Sequence, residues 1–304
     1  MPKESLQAFV FPGQGVQRAG MGADLLFHEN PDVAKSALIT YEEADDTLRM
    51  RIKKASLTGT EQKLAHPSLT EPAILTASIA ALRILREEGI MPDVVAGHSL
   101  GEYSALVAAE ALSFEQALRL VRARGLMMEA AGKINPGGMS AILGLSLSEV
   151  ERICEEAGAE VANINTQNQI VISGRNDSVT LANTLTAERG GKSIKLKVTV
   201  ASHSSLMKPV TKEMEHTMAD EPISDLSIPL VINLSADYAA NSDQVRRELI
   251  DQPTGRVLWL DTIRRLSSDG VRHFIDVGPG DILKKMIIKI DPSLQVLISK
   301  DLIK

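Results

Sequence analysis

Aromatic residues are scarce in this 304-residue chain, where Phe, Tyr and Trp together make up 3%. A surface that stacks bases has little to be built from. The core must rest on Leu, Ile, Val, Ala and Met. Cysteine is scarcer still. The single Cys154 excludes an internal disulfide and fits a reducing compartment, so a cytoplasmic protein is expected. It lies in the helical pattern SEVERICEEAG, where a buried, inert thiol is expected. Positive charge is not in excess: 33 Lys and Arg stand against 39 Asp and Glu, a net −6, which argues against a general nucleic-acid binder. No uncharged apolar run approaches the ~18 residues of a membrane span. The N-terminus MPKESLQAFVF lacks the apolar stretch and small-residue cleavage site of a signal peptide. No HExxH, CxxC or clustered His/Asp pattern suggests a metal, and no cofactor is expected.

What is present is an ordinary globular balance, 44% hydrophobic and 24% charged. QAFVF reads as a strand that breaks at Pro12-Gly13, and a mostly helical stretch punctuated by Pro67 and Pro72 runs on to about Ile90. PDVVAG is a short strand and EYSALVAAEAL a helix. SFEQALRLVRARGLMMEAAG is a second helix, with Ser113 as its N-cap. After INPGG the order becomes β-α-β-β-α-β, closing with the alternating strand KSIKLKVTV, the pattern of a small ferredoxin-like unit. Alternating α/β then resumes through PLVINLS, HFIDVG and the helix DILKKMIIKI. The reading is α/β: a larger domain over 1–131 and 200–304, interrupted by a smaller one over 132–199.

Gly97-His98-Ser99-Leu100-Gly101 fits the G-x-S-x-G nucleophile elbow, with an apolar strand running into it and a helix out of it. The helix N-terminus offers N–H groups to a developing oxyanion. A serine needs a base. Among six histidines, His203, at the end of a strand in VTVASHSSLM, has the position for it. No acid sits visibly at the end of a core strand between the two. Either a third member is hidden, or a backbone carbonyl orients the imidazole. VFPGQGVQRAGMG follows a strand, but Arg18 occupies the sixth place of G-x-G-x-x-G, so the dinucleotide fingerprint fails. The loop is either a plain turn or a second oxyanion donor. Arg124, on what reads as the last turns of its helix, is either a solvated charge or, if buried, a clamp for a carboxylate.

Taken in order, VFPGQGVQ, TEPAILTAS, AGHSLGEYSAL, LVRARGLMM, GGMSAILGL, ANINTQNQIVISG, VASHSSLMKP and FIDVGPG resemble the malonyl-CoA:acyl carrier protein transacylases of fatty-acid and polyketide synthesis. The resemblance implies an α/β-hydrolase-like large domain with an inserted ferredoxin-like small subdomain. It makes Ser99 the acylated nucleophile and His203 its base. Gln14 and Leu100 become the oxyanion donors through their backbone N–H groups, and Arg124 the holder of the malonyl carboxylate. It explains the missing acid, since the backbone carbonyl of Gln252 would orient the histidine. Asn165 falls in a pocket-lining motif. The implied reaction is ping-pong transfer of malonyl from malonyl-CoA to the phosphopantetheine thiol of an acyl carrier protein by a monomer. Methylmalonyl specificity, or a proofreading acyl hydrolase, are the alternatives. The sequence departs from the family at Val16, at Asp281 and, beside the site, at Glu71, where Gln is usual. A carboxylate there would repel malonate unless it points away, pairs with a cation or marks altered specificity. Carrier docking would need a local basic patch, with Lys192, Lys195 and Lys197, or Lys284, Lys285 and Lys289, as candidates.

Overall fold

The computed structural model describes residues 5–304. Its organising element is a parallel five-stranded sheet. The strands are β1 (Leu6–Phe11), β2 (Val94–Gly97), β7 (Leu230–Val231), β8 (Val271–Asp276) and β9 (Gln295–Ile298), in the order β7-β2-β1-β8-β9. Parallel neighbours require crossovers, and helices provide them. Between β1 and β2 run α1 (Ala23–Leu26), α2 (Pro31–Leu48), α3 (Ile52–Thr58) and α4 (Pro67–Glu87). After β2 come α5 (Gly101–Ala108) and α6 (Phe114–Ile134). Residues Ala8 to Phe11 and Val95 and Ala96 are all fully buried, so both faces of the central strands are covered and the strands read as continuous apolar runs.

A second, antiparallel sheet of four strands is built from one continuous stretch of chain. It follows the order β3 (Gly137–Leu143), α7 (Leu147–Ala157), β4 (Glu160–Thr166), β5 (Gln169–Arg175), α8 (Asn176–Glu188) and β6 (Lys192–Lys195), with strand neighbours β4-β5-β3-β6. Ser146 opens α7 with a reciprocal capping box to Glu149, and Gly158, at φ 69°, closes it in the left-handed conformation glycine favours. The chain then returns through α9 (Lys208–Met218), α10 (Ser242–Asp251), α11 (Trp259–Ser268) and α12 (Ile282–Ile290). The way in and the way out touch: a Cβ at Gly132 would lie 2.8 Å from Val200 Cγ1. A parallel bridge from Asn163 to Val257 ties β4 to the segment before α11.

Several elements differ from the sequence reading. The strand expected over KSIKLKVTV keeps its ladder only to Lys195, because it pairs on one side alone, with β3. PLVINLS contributes just Leu230 and Val231, and β9 is an edge strand that the sequence reading passed over. Pro72 does not punctuate the chain but lies inside α4. Its missing N–H leaves the Ser68 carbonyl without its helical donor, and Arg122 Nη1 donates to that carbonyl instead. Gly125 allows this close approach of α4 and α6, since a Cβ there would lie 2.6 Å from Ser68 N. By length and composition α4 alone among the described residues is apolar enough to cross a membrane, which no uncharged run in the sequence suggested. Its apolar window is 89% buried inside the fold, as befits a core helix. Arg124 lies mid-way along α6, not in its last turns, and is buried.

Candidate active site

Ser99 lies between the end of β2 and the start of α5, with φ at 52°. A non-glycine residue in this left-handed region costs about 1–2 kcal/mol and persists only where its surroundings enforce it. Two glycines make the turn possible. A Cβ on Gly97 would run into the backbone of Gly101 and Glu102, and one on Gly101 into the carbonyl of Phe11. Gly13 presses on the same turn from the loop after β1, where a Cβ would meet the His98 carbonyl and come 3.5 Å from Leu100 N. The FPGQG loop and the Leu100 amide are thus brought together by backbone contact.

Asn233, just after β7, fastens the turn from the other side. Its Oδ1 accepts the Ser99 N–H at 2.7 Å and its Nδ2 donates to the Gly97 carbonyl at 2.7 Å. One amide therefore satisfies a donor and an acceptor of the strained peptide. Asn233→Ala is expected to lower stability by about 2 kcal/mol or more, because both backbone groups lose their partner in a buried place. Urea unfolding checks this, and an unchanged midpoint would show that water serves the turn equally well.

His203 Nε2 lies 2.8 Å from Ser99 Oγ. On the other side of the ring, Nδ1 is 3.0 Å from both the Gln252 and the Gly255 carbonyl oxygens. Two acceptors at Nδ1 fix the proton there, which leaves the Nε2 lone pair for the serine hydroxyl. Burial, reinforced by the charges of Arg124 and His98, pushes His203 down to about 3, so the ring is neutral at physiological pH. Among the described residues no carboxylate is hydrogen-bonded to the ring. The sequence pointed to the Gln252 carbonyl only through family resemblance; the Gly255 carbonyl was not foreseen.

Arg124 is 1% exposed. Its Nη1 is ion-paired with Glu71, itself completely buried, and its Nη2 donates to Gln252 Oε1 at 3.2 Å. Gln14 Nε2 donates to the same Glu71 oxygen at 2.8 Å. Of the three fates open to Glu71, pairing with a cation is the one realised. Burial raises its pKa to about 7 although Arg124 and Gln14 work in the opposite direction. The network continues inward, where Gln252 Nε2 donates to Glu102 and, at 3.2 Å, to the Ser99 carbonyl. Glu102 Oε1 accepts the Asn233 N–H at 3.2 Å. Desolvation first, then the neighbouring Glu248, raises the Glu102 pKa well above the usual carboxylate range.

Asn165 does not stand free in the pocket: its Oδ1 holds His98 Nε2 at 2.9 Å, and the His98 ring meets Trp259 edge-on at 5.4 Å. His98, Asn165 and Gln14 line a cavity of about 970 Å³ between the FPGQG loop, the antiparallel sheet and α12. Lys195 and Lys197 stand on its wall. Lys197 pairs with Glu61 at 3.2 Å, Lys285 with Asp281 at 2.8 Å and Lys284 with Asp301 at 3.9 Å. Cys154 is buried and free, with its thiol pushed up to about 12 by desolvation. Among the described residues, no group of three or more His, Cys, Asp or Glu side chains is placed to hold a metal ion.

Sequence reasoning missed Asn233, Glu102 and Gly255. Glu102 carried a usable signal, a carboxylate one turn beyond Ser99 in an otherwise apolar helix. Asn233 and Gly255 carried none, because their roles arise from tertiary placement.

A parallel sheet with a serine at the strand-to-helix turn, and a histidine set on its hydroxyl, defines an α/β protein built for acyl transfer chemistry. The acyl transferase domain family matches residues 8–292, and the chain belongs to that family. The malonyl CoA-acyl carrier protein transacylase of Bacillus subtilis is 39% identical over 300 residues, covering 97% of this chain and 93% of the relative. The structure of the corresponding transacylase from Coxiella burnetii superposes with a TM-score of 0.93 at 35% identity, covering 97% and 94% of the two chains. A malonyl-transacylase solved in complex with a type II polyketide acyl carrier protein superposes at 0.92, with 33% identity and 97% and 96% coverage.

Proposed function

We propose that this chain moves a malonyl group from malonyl-CoA to the phosphopantetheine thiol of an acyl carrier protein through an acyl-enzyme on Ser99. The 2.8 Å contact between Ser99 Oγ and a neutral His203 whose tautomer is fixed carries the reading. Ser99 Oγ attacks the thioester carbonyl while His203 Nε2 takes the hydroxyl proton. The tetrahedral oxyanion is received by the Leu100 and Gln14 N–H groups, beside the helix N-terminus. CoA leaves with the proton from His203. The carrier thiol then gives its proton to His203 and attacks the acyl-serine, and the proton returns to Ser99. The chemistry needs no cofactor of the enzyme's own, since the phosphopantetheine belongs to the partner.

Arg124 is the one buried lysine or arginine among the described residues and would receive the free carboxylate of the acyl group. The relatives named for malonyl transfer support that substrate, and the carrier complex supports the partner. Lys195 and Lys197 at the cavity wall would meet an acidic carrier. In this reading the parallel sheet is a hydrolase-like scaffold over 1–131 and 200–304, and the antiparallel sheet a ferredoxin-like insert over 132–199.

The test is intact-protein mass spectrometry after mixing with a panel of acyl-CoAs. Malonyl mass is expected on Ser99, decaying quickly with holo-carrier protein and slowly without it. No adduct, or equal decay in water alone, would overturn the proposal.

A further inference from the structure

We infer that Glu71 is a proton-dependent counter-ion of Arg124, which the carboxylate of a dicarboxylic acyl group must displace or neutralise, so that each such group captured takes up one proton. The inference rests on the transfer reading above and concerns how the same site selects its substrate.

The geometry sets two carboxylates in competition for one guanidinium. Arg124 spends Nη1 on Glu71 and Nη2 on Gln252, and its buried Nε has no hydrogen-bond partner among the described residues. An incoming carboxylate needs two adjacent N–H donors for a forked grip. Nε and the second N–H of a terminal nitrogen can supply that grip with both bonds kept, so the obstacle is charge, because Glu71 already neutralises the guanidinium. Only Oε1 of Glu71 is bonded, to Arg124 and Gln14, while Oε2 is buried with no hydrogen-bond partner among the described residues. A proton on Oε2 turns that orphan oxygen into a donor that the substrate carboxylate accepts. It also changes the local sum from one positive and two negative charges to one of each. Without it, a second buried anion would stand uncompensated.

The proton balance is simple. Ionised Glu71, one proton and the malonyl carboxylate become a neutral Glu71 hydrogen-bonded to a malonyl carboxylate on Arg124, and the proton leaves when the malonyl group does. No covalent bond other than O–H is made or broken in this step. The protonation equilibrium is within reach, because burial already holds Glu71 at about 7. The groups that face it are Arg124 and Glu129 on α6, Tyr103 on α5 and the neutral Gln14 on the loop; Glu102 lies beyond Tyr103 and His203 beyond Arg124. Of the other charges brought alongside α4, Arg122 of α6 donates to the Ser68 carbonyl, Glu43 pairs with Arg83, Lys53 with Glu42, Asp301 with Lys284 and Glu61 with Lys197.

The decisive measurement is the ratio of kcat/KM for malonyl-CoA to that for acetyl-CoA as a function of pH. Both substrates carry the same CoA and use the same His203, so those titrations cancel in the ratio. In the native protein the ratio is expected to fall as pH rises, approaching tenfold per unit above about 7, through KM for malonyl-CoA and not through kcat. In Glu71→Gln the ratio is expected to be independent of pH and to exceed the native value above neutrality. Should that variant fold poorly, an indicator dye in weak buffer reads the native protein directly. Malonyl-CoA is expected to draw up to one proton per Ser99 more than acetyl-CoA at slightly alkaline pH. A flat ratio in the native protein, an undiminished pH dependence in Glu71→Gln, or equal proton uptake from the two substrates overturns the inference while leaving malonyl transfer standing. Failure of malonyl-CoA to acylate Ser99 at any pH overturns the transfer reading and this inference with it.

Discussion

Ser99→Ala is expected to show no acyl adduct with any acyl-CoA and to lose transfer by on the order of 10⁵-fold or more, because the proposed covalent route ends with its nucleophile. The loss should be chemical and not structural. Alanine keeps the backbone at φ 52° under the same steric conditions as serine and gives up only the hydroxyl bonded to His203. The thermal midpoint should therefore stay close to that of the native protein. Ser99→Gly, equally inactive, should melt above Ser99→Ala because glycine occupies the left-handed region without penalty. Transfer retained above about 1% of native in either variant, measured against a carrier thiol, would place the acyl group elsewhere and sink the assignment.

Arg124→Ala is expected to lower kcat/KM for malonyl-CoA by about 10²–10³-fold relative to acetyl-CoA. Losing a buried partner for a carboxylate costs about 3–5 kcal/mol, and each 1.4 kcal/mol is a factor of ten. The same change strips Glu71 of its cation, and desolvation then acts on it with less opposition. Glu71 will stay protonated to higher pH, so the variant's stability deficit should be small in acid and grow as pH rises through and beyond 7. The sign follows from the folded protein holding that proton more tightly than the unfolded chain does. Pairing Arg124→Ala with Glu71→Gln should restore stability without restoring malonyl preference. An unchanged malonyl-to-acetyl ratio in the single variant would remove Arg124 from the substrate's path.

These two outcomes rest on residues of unequal visibility in the sequence. Ser99 was legible because its glycines are demanded locally: the turn is made within five residues, and Gly97 and Gly101 are needed to make it. His203 was legible from its place at a strand's end, though the ladder of β6 stops well short of it. The Arg124–Glu71 pair was not legible as a pair. It depends on α4 and α6 approaching at Gly125, and nothing in either segment states its distance from the other. Pro72 misled for a related reason, since its missing hydrogen bond is made good by Arg122 from the neighbouring helix. The layout of the strands was clear where both edges are paired and unclear at the margins, where β7 keeps two residues and β9 was overlooked. Asn233 lay beyond reach altogether, because an asparagine after an edge strand has no periodicity to betray that it holds the serine's own N–H.

The contact between Gly132 and Val200 has a bearing on how Ser99 and His203 are brought together. His203 follows Val200 closely, so whatever pins Val200 against α6 also delivers the imidazole toward Ser99. Once that neck is formed, everything between its two sides is a closed loop whose length weighs little: doubling such a loop costs only about 0.6 kcal/mol in closure entropy. The antiparallel sheet can thus lengthen, shorten or drift in sequence, reshaping the cavity wall it supplies, while the serine and the histidine keep their separation.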